Sequence, residues 1–221
     1  MPDQLPDPHS SLINPEELVM GAADIHAWLM AAVHGDMCEG FDAHVLASIL
    51  AVGLADAKER NCLPSETLGV GGARLSELVA QVFPSVLALF ESFESQAEPV
   101  LDEDENCLRD LLRRATTGDA RELLLADMVA RRAMAPNHLW QDLGLRSRRE
   151  LSWVMERHFE PLASRNTGDM KWKKFLFRMI CRDEGFRLCS VPVCSECDDF
   201  DDCFGDESGE SRMARIRKSA D

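Results

Sequence analysis

The chain has 221 residues, 45% of them hydrophobic and 29% charged, which suffices to bury a core in one domain of ordinary size. Its net charge of −15 excludes a general affinity for nucleic acid, whose phosphates require a basic surface. No apolar run reads as long enough to span a bilayer, and residues 1–11 are polar and rich in Pro and Asp, unlike a secretory signal. The expectation is therefore a cytoplasmic protein with neither membrane nor nucleic-acid partners.

Residues 1–13 read as a disordered lead-in. Asn14-Pro15-Glu16-Glu17 then has the form of a helix start, with Asn14 as N-cap, Pro15 at the first position and acids in the first turn. Leu18, Ala22, Ile25 and Leu29 follow at helical spacing. A second helix is predicted over 42–57, with Val45, Leu46, Ile49, Leu50 and Leu54 on its apolar face. Residues 61–72, with Pro64 and three glycines, read as a looser segment. Helical patterns resume over 74–93 with a break at Pro84, and 94–105 read as an acidic linker. Leu108, Leu111, Leu112 and Ala115 form the next stripe, and Asp119 is a cap for a helix reaching about residue 134.

Ser147-Arg148-Arg149-Glu150 has the S-x-x-E form of a capping box. Leu151, Val154, Met155, His158, Phe159 and Leu162 continue it as one stripe. After a turn at 165–168, Trp172, Phe175, Leu176, Met179 and Ile180 share a helix face. Lys171, Lys174 and Arg178 share the other, with Lys173 beside them; this reads as a solvated face, or as one that attracts an oxyanion or an acidic partner. Gly185 is a stop signal. No stretch alternates with period two for long, and no repeat recurs. The fold class is all-α: a multi-helix globular domain over 14–185, a cysteine-rich metal-binding loop over 186–205 and a disordered tail over 206–221.

Charge is unevenly spread along the last third. Residues 141–182 hold ten Lys/Arg against five Asp/Glu, whereas 183–210 hold ten Asp/Glu against Arg187 alone. In that acidic part stands Cys189-Ser-Val-Pro-Val-Cys194-Ser-Glu-Cys197-Asp-Asp-Phe-Asp-Asp-Cys203, four cysteines within fifteen residues. Thiolates bind soft metals and the irons of iron–sulfur clusters, and a C-x-x-C pair lets two sulfurs meet one centre while flanking ligands wrap its other sides. Structural zinc commonly uses two such knuckles. One knuckle with a single cysteine on each side is closer to the compact runs that hold iron–sulfur clusters, although the spacing leaves zinc open.

Glu196, Asp198, Asp199, Asp201 and Asp202 lie among these ligands. They either keep the segment solvated or dock a basic partner or a harder metal. Cys38, Cys62, Cys107 and Cys181 are isolated and read as small apolar residues, with Cys181 close enough to be a possible fifth sulfur. His138 is either a packing or capping residue or a nitrogen ligand. His26, His34 and His44 form no convincing ligand set. No nucleophile–base pair, phosphate-binding glycine loop or paired-carboxylate motif emerges, so no enzyme activity is expected.

The cysteine pattern, with Gly185-Phe186-Arg187-Leu188 before it and Cys203-Phe204-Gly205 at its end, resembles the NifQ family of nitrogen-fixation proteins that handle molybdenum. His138-Leu139-Trp140-Gln141-Asp142-Leu143-Gly144-Leu145, Arg149-Glu150-Leu151-Ser152 and Met170-Lys171-Trp172-Lys173-Lys174-Phe175 carry the same likeness, which extends more diffusely back to residue 63. The resemblance implies a carrier that holds molybdenum in a molybdenum–iron–sulfur cluster on Cys189, Cys194, Cys197 and Cys203. It would donate the metal for nitrogenase's iron–molybdenum cofactor. The implied partners are the cofactor-assembly scaffold and the nitrogenase iron protein. On the residues alone, an electron-transfer iron–sulfur protein and a zinc-stabilised interaction protein remain alternatives.

Overall fold

The computed structural model describes residues 21–34, 39–183 and 207. Among these the regular structure is helical throughout, with no strand, as the absence of period-two patterning predicts. Asn14 and Leu18 at the expected first helix start, Gly185, and the cysteine loop all lie outside the described residues.

Helix α1 (Ala22–Ala31) packs along α2 (Gly40–Arg60), the longest helix and the centre of the core. Every residue of α2 from 43 to 53 is buried. A helix that is apolar all round has no solvent face and must be surrounded. By length and composition alone α2 would also be long and apolar enough to cross a membrane, a property the sequence reading misses because charges crowd its two ends. Most of that stretch is buried against the other helices. Truncating a fully buried side chain such as Leu50 to Ala costs on the order of 2–5 kcal/mol.

The segment read as loose contains a short helix, α3 (Pro64–Leu68), which packs directly on α2. The approach is close enough that a Cβ on Gly53 would lie 2.2 Å from Leu68 Cδ2, and Thr67 Oγ1 donates to Gly53 O at 2.8 Å. Pro64 at the first position supplies the preset φ of a helix start, so the proline that suggested a loop in fact opens a helix. Helix α4 (Gly72–Val82) stops before Pro84, a 3-10 turn carries the chain over Pro84–Val86, and α5 (Leu87–Glu91) folds back on α4, matching the expected interruption.

The acidic linker is shorter than its composition suggests. Asp102 caps α6 (Glu103–Arg113) by accepting from Glu105 N at 2.7 Å, and three of the linker's acids occupy the first turn, where the helix dipole favours them. Helix α7 (Ala120–Ala133) begins at its expected cap, with Asp119 Oδ1 accepting from Arg121 N at 2.9 Å, and packs against α6. A short helix, α8 (Leu139–Asp142), leads into α9 (Arg148–His158). The expected single stripe to Leu162 breaks after His158, and α10 (Glu160–Ala163) starts beyond Phe159, which is non-helical at φ −135°, ψ 40°. Pro161 is the reason: inside a continuous helix its ring would clash with the Arg157 carbonyl, whereas the second position of a new helix tolerates it. Helix α11 (Trp172–Asp183) buries Trp172, Phe175, Leu176, Met179 and Ile180, the face the spacing predicts, and packs on α6.

Candidate functional site

The α8 turn is closed at its start by a side chain and at its end by the backbone. At its start His138 N donates to Gln141 Oε1 at 3.3 Å. At its end Gly144 N reaches Gln141 O at 3.0 Å and Leu145 N reaches Trp140 O at 2.9 Å, the paired bonds of a Schellman motif. That motif requires a left-handed residue, and Gly144, at φ 72°, provides it without a Cβ penalty. The result is a compact platform with His138 at its N-cap.

Asp142, fully buried, ties this platform to its surroundings. Oδ2 accepts from Asn137 N at 3.0 Å and Oδ1 from Asn137 Nδ2 at 2.9 Å. Lys173 Nζ, from α11, donates to Asp142 Oδ2 at 2.6 Å and also to Ala135 O. The Asp142 carbonyl accepts from Arg132 Nε at 2.7 Å, and Arg132 pairs with Asp56 of α2 at 2.8 Å. Lys173 is therefore not part of a solvated basic face, as its neighbours in sequence suggested; it is an interior cross-link. Burial pushes its ammonium below the ordinary lysine range, and the hydrogen bond it donates to Asp142 counters that push.

A second carboxylate completes the arrangement from the far end of the chain. Glu207 is buried, with Oε1 3.1 Å from His138 Nδ1 and Oε2 accepting from Arg148 Nη1. Arg148 Nη2 donates to Asp169 Oδ1 at 2.7 Å, Asp169 O at 2.8 Å and Met170 O at 3.1 Å. His138, weighed from sequence as a possible nitrogen ligand, thus meets a carboxylate here.

Behind the platform, Ser147 Oγ caps α9 by accepting from Glu150 N at 3.4 Å. Glu150 leaves the expected capping box half made: its Oε2 accepts instead from Arg146 N at 2.8 Å and faces His44 Nε2 at 3.4 Å. His44 in turn meets His26 at 2.9 Å. These are polar pairs between partly buried and buried side chains, a chemistry suited to holding chain segments in place.

The sequence reading weighs His138 and marks its stretch as family-like, but it predicts no helix at Leu139–Asp142 and misses the partners. Arg148, Lys173 and Glu207 carry no local signal of burial, because their partners are distant in sequence; Asp142 has Asn137 five residues away, but its lysine partner comes from α11. The four cysteines of the expected metal site, Cys189, Cys194, Cys197 and Cys203, lie outside the described residues. Cys181 falls within α11, but its side chain is likewise outside them. Cys62 and Cys107 are half-buried thiols. Among the described residues, no three His, Cys, Asp or Glu side chains converge as a metal would require.

Comparison with known proteins assigns the chain. The NifQ family model matches residues 45–205, a span that contains the α8 platform and all four clustered cysteines. It begins earlier than the likeness from residue 63, taking in most of α2. A NifQ homolog of Sinorhizobium fredii is 36% identical over 181 residues, covering 80% of this chain and 77% of its own. NifQ of Rhodobacter capsulatus is 37% identical over 164 residues, 73% of this chain and 89% of its own. NifQ of Azotobacter vinelandii is 36% identical over 160 residues, 66% of this chain and 81% of its own. No solved structure matches the chain. With a family model spanning most of its length and relatives aligned over more than three quarters of theirs, the chain belongs to the NifQ family of nitrogen-fixation proteins.

Proposed function

We propose that this protein is a molybdenum carrier: it holds the metal in a molybdenum–iron–sulfur cargo on Cys189, Cys194, Cys197 and Cys203, and passes it to assembly of nitrogenase's iron–molybdenum cofactor. One observation carries the reading: four cysteines within fifteen residues fall inside the region matched to the nitrogen-fixation family.

The chemistry is coherent with that role. Molybdenum enters cells as an oxyanion and must exchange oxygen for sulfur before it joins a sulfide-bridged cofactor. Thiolates favour soft metals and iron–sulfur fragments. If four cysteines leave a metal position unsaturated, that position serves exchange or handover. A carrier of this kind turns over no substrate, acts in the cytoplasm, and has as partners the cofactor-assembly scaffold and the nitrogenase iron protein. The acids between the cysteines supply a surface for a basic partner.

The test is metal and acid-labile sulfide analysis, with an absorption spectrum, on protein purified without oxygen from a molybdate-supplied host. Molybdenum together with iron and sulfide supports the carrier. Iron and sulfide without molybdenum would make it an electron-transfer protein, and a colourless chain with one zinc an interaction protein.

A further inference from the structure

Glu207 lies four residues beyond Cys203, in a stretch where acids outnumber bases ten to one. A buried carboxylate is unfavourable unless it is paired and hydrogen-bonded. Both oxygens of Glu207 are so engaged, one by His138 Nδ1 and the other by Arg148, and its side chain is only 4% exposed. Lys173 adds favourable charge from the neighbouring helix.

Arg148 holds more than this one partner. Its other terminal nitrogen grips Asp169 and Met170, immediately before α11 begins at Trp172. Glu207 is therefore fixed beside the start of α11, whereas the chain leaves the opposite end of that helix at Asp183, about 17 Å away at the α-helical rise per residue. The cysteines fall between these two fixed points in the sequence.

We infer that Glu207, gripped by Arg148 and His138, is a positioning residue for the cysteine site: it anchors the chain just past Cys203, so that the last ligand is not recruited from a free end. Tethering both sides of a ligand segment lowers the conformational entropy lost when its ligands gather on one centre. The contact thereby strengthens cargo retention. This inference rests on the carrier reading above.

Two measurements on the full-length protein test it. The first needs no metal. Carbodiimide coupling of carboxylates, read by mass spectrometry at Glu207 in the apo protein, should be slow in the native chain. In Arg148→Ala it should be at least about tenfold faster, because the buried pair is opened. His138→Ala serves as a second opening variant should Arg148→Ala fold poorly. Equal rates in native and variant proteins would overturn the anchor.

The second follows reconstitution with ferrous iron, sulfide and molybdate without oxygen. At a temperature well below every thermal midpoint, Glu207→Ala should lose iron to a chelator at least about tenfold faster than the native protein, and Glu207→Gln should fall between them. Equal retention in Glu207→Ala would overturn the positioning role. If the native chain takes up no iron, the carrier reading fails and the positioning role with it, while the labelling result still decides whether the anchor exists.

Discussion

Asp127 and Asp142 are both completely buried carboxylates, and the difference between their partners separates two regions of the molecule. Asp127, on α7, gathers guanidinium groups from neighbouring helices: Arg74 of α4 at 2.7 Å, and Arg113 of α6 at 2.7 and 2.8 Å, with Arg109 at 3.6 Å. Arg109 also pairs with Glu105 at 2.8 Å, which meets Arg131 at 2.9 Å. This network braces helices against helices. Asp142 instead binds one preceding loop residue and one lysine of α11, and its neighbour Glu207 brings in the chain beyond the cysteines. The first region makes the helical body cohere; the second joins that body to Glu207. Similar side chains thus contribute to stability in one place and to placement in the other.

The sharpest way to break the comparison is at Asp127. Replacing it with Ala leaves three arginines around an uncompensated site, and losing one partner of a buried charge cluster costs on the order of 3–5 kcal/mol. Denaturant titration should show that loss as a fall in midpoint. Asp142→Asn should cost less, about 1–3 kcal/mol, because an amide oxygen still accepts a hydrogen bond while the charge opposite Lys173 is gone. If Asp142→Asn proved the costlier change, the assignment of bracing to one region and placement to the other would be reversed.

A smaller effect is expected at acid pH, on the edge of the helical body. Burial pushes the Glu122 carboxyl up, but hydrogen bonds from the Thr117 hydroxyl and amide and from His158 outweigh it and leave the group below the ordinary glutamate range. A carboxylate depressed in the folded state stabilises fully above its unfolded pKa. That contribution is lost as pH falls through the folded value. Glu122→Gln should therefore flatten the stability–pH curve below the ordinary glutamate range and leave its neutral part nearly level. An unchanged acid limb would contradict the assignment.

The smallest effect on stability belongs to the cysteines. Cys→Ala at 189, 194, 197 or 203 should change the unfolding free energy by less than about 0.5 kcal/mol while sharply lowering metal content. Global unfolding on any of these changes would make the metal structural.

What was legible in the sequence follows the range of each interaction. The α11 face of Trp172, Phe175, Leu176, Met179 and Ile180 is written in a helical period, and the Asp119 cap within two residues of its partner; both stand in the structure as read. Proline was read correctly as a break at Pro84, but at Pro64 it opens a helix, and at Pro161 it divides a stripe that apolar spacing alone made continuous. The cysteine pattern is equally local, which is why its chemistry could be argued from spacing. Lys173 could not be read this way. Its position beside other lysines points to solvent, and only the approach of α8 to α11 turns it inward. Glu207 and Arg148 are 59 residues apart, and no periodicity relates them.

Molybdenum X-ray absorption on the anaerobically loaded protein bears most directly on the central claim. The account predicts sulfur in the first coordination sphere of molybdenum and an iron neighbour beyond it, both lost when Cys197 is replaced with Ala. Molybdenum surrounded by oxygen alone, or a spectrum indifferent to that replacement, would contradict it.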